Sequence, residues 1–277
     1  MSCCADGSEM FNRTWIWLAL AATALMAASS AAGVFLPGAY ALETDTWAAQ
    51  GVGQDFANLF CVVPAMLIAL HLAFRGSARA TVVMIGLLIY MVYSYVLYAF
   101  FIHFGSWFPV YVAVLGLSAY ALFGCLIQIN LNNISRLLST NPRANLVSVV
   151  LMALGSLFAL LWFSEILPAL RSGTAPKGVA DTGLPVNPVH VLDLAFILPG
   201  MIVTAVAVRR RRPLGLLFAA PLLVFSAVMG VAIISMFAVE WARGGVTSAI
   251  PVVFIVFVVA VSVHGAYSFL NQHCELP

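Results

Sequence analysis

TVVMIGLLIYMVYSYVLYAFFIH, residues 81–103, runs without an Asp, Glu, Lys or Arg. At 1.5 Å rise per helical residue, such a stretch reaches across the ~30 Å hydrocarbon core of a bilayer. Equivalent apolar stretches at 14–35, 53–74, 107–130, 146–168, 188–208, 214–238 and 248–270 predict eight spans in all. Nothing resembles the ~10-residue alternating segments of an outer-membrane barrel. Over the whole 277 residues, 63% are hydrophobic and 8% charged, whereas a soluble domain carries about 25% charged residues. The expected fold is an all-α, polytopic integral membrane bundle, a single membrane domain over 1–277.

The formal charge of +2 says little, because in a membrane protein the placement of Lys and Arg decides orientation. Arg13, Arg75, Arg79, Arg136, Arg143 and the run Arg209-Arg210-Arg211-Arg212 fall on one side of an eight-span chain. Arg171, Lys177 and Arg243 fall on the other, with Glu43, Asp45, Asp181 and Glu240. The positive-inside bias then predicts a multi-pass protein of the plasma (cytoplasmic) membrane with both termini cytoplasmic. The first span, with Ala27-Ala28-Ser29-Ser30-Ala31-Ala32 near its end, also fits a cleaved signal peptide, although such h-regions are usually shorter. Cys3, Cys4, Cys61, Cys125 and Cys274 match no metal or disulfide spacing.

The halves 14–130 and 146–270 share landmarks in order. Leu36-Pro37 parallels Leu167-Pro168, Pro64-Ala65-Met66 parallels Pro199-Gly200-Met201, and Met91-Val92-Tyr93-Ser94 parallels Leu223-Val224-Phe225-Ser226. An acid near the start of each second helix, Asp55 and Asp193, completes the series. Two parallel four-helix repeats about an axis along the membrane normal would give this pattern. Pro64 and Pro199 should each remove a backbone bond and bend its helix.

Ionisable groups within spans cost about 2.5–3.5 kcal/mol or more and therefore face the bundle interior or a watery cavity. Asp55, Glu165 and Asp193 qualify, and His103 and His190 fall in the same outer layer. Asn187-Pro188 reads as an N-cap followed by proline at the first helical position. That start places His190 and Asp193 at i and i+3 on one face. Tyr90, Tyr93 and Tyr98 share a broad face of the third span, where each hydroxyl needs a partner in the bundle.

From these residues the leading expectation is a protein that binds, and moves, a small molecule or ion through an outer-facing polar pocket. Asp55, Asp193, His190, Glu165, Tyr90 and Tyr93 are its candidate ligand- or proton-binding residues. The alternative is a membrane-embedded enzyme that holds a divalent metal with His103, Glu165, His190 and Asp193. A third expectation is a non-catalytic assembly or scaffold subunit. Haem between the inner His71 and His264 and the outer histidines is disfavoured by their spacing. Metalloprotease, nucleophile-elbow, P-loop and dinucleotide motifs are absent from the sequence. The expected partners are the lipid bilayer and a small molecule or ion; nucleic acid is not expected.

Overall fold

The computed structural model describes residues 13–129, 141–245 and 249–271. Arg136 and three of the cysteines discussed above, Cys3, Cys4 and Cys274, lie outside the described residues. Among those described there is no strand, and eight helices are long and apolar enough to cross a membrane. They are α1 (Arg13–Phe35), α2 (Asp45–Phe74), α3 (Ala78–Phe101), α4 (Phe108–Gln128), α5 (Ala144–Ser172), α6 (Pro188–Arg209), α7 (Pro213–Ala242) and α8 (Ala249–Leu270). A short helix, Lys177–Thr182, interrupts the connection from α5 to α6.

The ends of the bundle are distinct. At one, the Arg13 guanidinium lies 4.7 Å from the Phe74 ring centre, Arg79 bonds Asn271, and Arg211 donates to the Asn141 carbonyl at 2.6 Å. At the other, Thr44 donates to the Asp181 carbonyl, and Glu43 accepts from both the backbone N–H and the Nδ1 of His103. We call these the arginine end and the acidic end.

Three helix boundaries differ from the sequence reading. α2 begins at Asp45, where Thr44 accepts from the Trp47 N–H. Its first turns carry Asp45, Gln50 and Gln54, polar enough to read as loop. α5 continues through Pro168 to Ser172 and ends at a left-handed Gly173, whereas the proline suggested a stop. α7 likewise runs on to Ala242 and brings Glu240 into its last turn. The start of α6 is as read: Asn187 Oδ1 accepts from Val189 N at 2.9 Å and His190 N at 3.4 Å, with Pro188 following.

α2 and α6 share a local construction. Each carries one π-helical segment, Asn58–Val62 and Asp193–Ile197, immediately before its proline-containing turn. Proline cannot donate to the preceding turn and crowds its carbonyl, and a π turn is one way to absorb that. A single constant shift in numbering carries Asn58 onto Asp193, Pro64 onto Pro199, and Arg75-Gly76-Ser77 onto Arg210-Arg211-Arg212. Both turns after these helices have a left-handed middle residue, Gly76 (φ 85°) and Arg211 (φ 54°). They also repeat the same backbone bonds: Gly76 to Ala73 and Ser77 to Leu72, against Arg211 to Val208 and Arg212 to Ala207. The same shift pairs Asp55 with His190, so Asp193 corresponds in position to Asn58 and not to Asp55.

Packing follows a related pattern. α1 lies on α2 and α4 as α5 lies on α6 and α8, α3 packs on α4 as α7 packs on α8, and α3 and α7 meet in the middle. There the rings of Tyr93 and Phe225 touch edge to face, 5.4 Å between centres. One pair breaks the pattern: α2 packs closely along α7, while α6 barely touches α3. At the α2–α7 crossing, a Cβ on Gly53 would meet the Met236 backbone and come within 2.9 Å of the Ser235 carbonyl. Small residues permit this approach where lipid provides no hydrophobic drive between helices.

Candidate functional site

Asp55 and Asp193 occupy different surroundings. Asp55 is 2% exposed and sits in a cage of tyrosines. Tyr40, from the α1–α2 loop, donates to its Oδ2, and Tyr98 donates to its Oδ1 at 2.8 Å. Burial, reinforced by the Asp55 carboxyl, pushes the Tyr40 phenol well above its ordinary range, which keeps its proton available for the bond. The rings of Tyr95 and Tyr111 pack against that of Tyr98, with the Tyr95–Tyr98 and Tyr98–Tyr111 centres each 5.1 Å apart. Gly33 lets α1 approach so closely that any Cβ there would overlap the carboxylate. Deeper in the same half, Tyr90 donates to Asn58 Oδ1 at 2.8 Å, Asn58 Nδ2 donates to Ser30, and Tyr95 and Ser29 share a bond. The hydroxyls of Ser29, Ser30, Tyr40, Tyr90, Tyr95 and Tyr98 thus each have a partner, as buried polar groups require.

Asp193 is the first residue of the π segment in α6. Its Oδ1 accepts from the Tyr93 hydroxyl at 3.0 Å and its Oδ2 from the Trp162 indole N–H at 2.9 Å. Beside it opens a cavity of about 490 Å³, walled by every spanning helix from α2 to α8 except α4 and reaching the α5–α6 connection at the acidic end. Small-molecule sites commonly have volumes of about 300–1,000 Å³ and mostly apolar walls with few polar groups. Here the polar groups are Asp193, Glu165, Glu240, Gln50, Gln54, Asn187, Thr182, Ser226, Tyr93 and Tyr98. The gap between α3 and α6, where the packing pattern fails, supplies the room.

The remaining candidates divide as follows. Glu165 lines the cavity, and its Oε2 lies 3.5 Å from His190 Nε2, which has no hydrogen-bond partner. His190 does not bond Asp193; the Trp162 ring lies against the imidazole, 4.6 Å between centres, while its N–H serves the aspartate. The shared face read from i, i+3 spacing is thus divided between two partners on α5. Tyr90 is fully buried and bonded to Asn58, away from the cavity wall. His103 is held by Glu43 in the loop after α3. Among the described residues, no group of three or more His, Cys, Asp or Glu is gathered as metal ligands would be. His71 and His264 both sit on the outside of the bundle.

Sequence reasoning missed Tyr40, Gln54, Asn58, Trp162 and Glu240. Trp162 had a usable signal, since it precedes Glu165 by one helical turn and shares its face. Tyr40 had none, because it lies outside any span.

Comparisons against family models, curated proteins and solved structures found no match. What fold and geometry define is therefore a class: a polytopic helical bundle with a carboxylate-bearing cavity between its halves.

Proposed function

We propose that this protein binds a small molecule or ion in the cavity beside Asp193 and carries it across the plasma membrane, the acidic end facing out and both termini facing the cytoplasm. The observation that carries the reading is the Asp193 carboxylate at the wall of a 490 Å³ cavity, oriented by Tyr93 and Trp162. The distribution of arginines supports the orientation. The matching π segments, turns and packing of α1–α4 and α5–α8 support an origin by duplication, which many transporters share. Wide π turns and prolines flanking the site give α2 and α6 places where their two parts can tilt. In this reading Asp193 is the ligand-binding carboxylate, Tyr93 and Trp162 position it, and the Glu165–His190 pair is the adjoining proton-exchanging couple.

Met229 lines the cavity on α7. With the five native cysteines replaced, Met229→Cys should react in sealed vesicles with a membrane-impermeant thiol reagent, fast from the acidic end and more slowly from the arginine end. Reaction from the acidic end alone would retain binding and remove transport. Reaction from neither side would remove the pocket.

A further inference from the structure

We propose that the cavity selects amphiphilic organic cations: an ammonium-type head on an apolar body. The inference rests on the ligand-site reading above and deepens it. Three carboxyl side chains, Glu165, Asp193 and Glu240, line the cavity, and no Lys, Arg or His is among the described residues that do. They come from α5, α6 and α7, so acidic side chains converge on the space from three helices. Low-dielectric walls strengthen such a field and disfavour anions. His190 lies against the Trp162 ring and pairs with Glu165, while Asp193 and Glu240 stand on the cavity wall without it.

The rest of the lining suits the body of the same ligand. Tyr93, Trp162, Phe225 and Phe254 present rings to the space, and aromatic faces attract a desolvated cation by about 2 kcal/mol or more. A strongly hydrated metal ion would gain nothing from such walls, whereas an alkyl- or aryl-ammonium buries its carbon against them. Gln54 adds a second observation. It is 5% exposed, lines the cavity, and its Nε2, buried on the Tyr90 side, has no hydrogen-bond partner. A buried amide left open costs free energy, and a turn of this side chain toward the cavity would give its N–H a polar group on the ligand body.

The experiment uses the Met229→Cys protein in detergent and measures how far each of three probes slows its reaction with neutral N-ethylmaleimide. The probes are benzyltrimethylammonium, its neutral isostere neopentylbenzene, and the anion phenylmethanesulfonate. The ammonium should protect at concentrations at least about tenfold below those of the other two, and adding Asp193→Asn should erase that advantage while labelling without probe persists. Glu165→Gln or Glu240→Gln should reduce it partly, which also guards against a folding defect peculiar to the Asp193 variant. Equal or better protection by the sulfonate, or a preference that survives Asp193→Asn, overturns the inference. Protection by all three without preference overturns cation selectivity and leaves the ligand pocket standing. No protection by any of them removes both.

Discussion

The two halves place a carboxylate near the same end of the bundle, yet Asp55 is enclosed and Asp193 borders open space. The difference traces to the helix starts. The constant shift that aligns the π segments sets Pro188, the first residue of α6, opposite Gly53. α2 begins at Asp45, about two turns earlier. Those extra turns, with Gly53 at the crossing, lie against α7 and close the first half, while the preceding loop delivers Tyr40 onto Asp55. α6 has no such extension, stands off α3, and leaves the cavity. Two similar frameworks thus yield a structural acid in one half and an accessible one in the other, through the length of one helix.

The contrast can be broken most severely at Asp55. Asp55→Ala orphans the buried Tyr40 hydroxyl, at about 1–3 kcal/mol, leaves Tyr98 only the Gly51 carbonyl at 3.5 Å, and opens a hole under α1 at Gly33, so thermal unfolding in nanodiscs should show a large loss of stability. Next in size is Gly53→Ala, which forces α2 away from the Met236 backbone; overpacking of this kind costs about 1–3 kcal/mol. Labelling of a cysteine on the α2 side of the crossing should rise as the closed half loosens. The smallest effect belongs to Asp193→Ala. Tyr93 and Trp162 then turn their donors to a cavity that can hold water, so stability should fall by under about 1 kcal/mol. An Asp193→Ala protein as unstable as Asp55→Ala would mean that both acids are structural.

Spans were legible because bilayer thickness fixes the length of an apolar helix. Among the described residues all eight appear as helices long and apolar enough to cross a membrane, with errors where polar turns of α2 or an internal proline in α5 disguised the helix. Asp55, Glu165, His190 and Asp193 were legible as groups too costly to leave in lipid. Which of them meet was not, because facing depends on helix rotation and on packing between distant segments. Asp55 and Asp193 read as a matched pair because each lies near the start of the second helix of its half; the π segments and prolines instead align Asn58 with Asp193. The tyrosines of α3 show the same limit. Their common face was visible, but Tyr90 serves Asn58, Tyr93 serves Asp193 and Tyr98 serves Asp55, an allocation only the neighbouring helices decide.

The most direct test compares the two aligned positions themselves. Asn58→Cys and Asp193→Cys, each in the cysteine-free background, would be exposed to a small impermeant thiol reagent from the acidic end and their labelling rates compared. An enclosed Asn58 and a cavity-lining Asp193 predict rapid modification at position 193 and none at position 58 within the same time; equal rates at both would contradict the division of the two aligned positions into a sealed one and an open one.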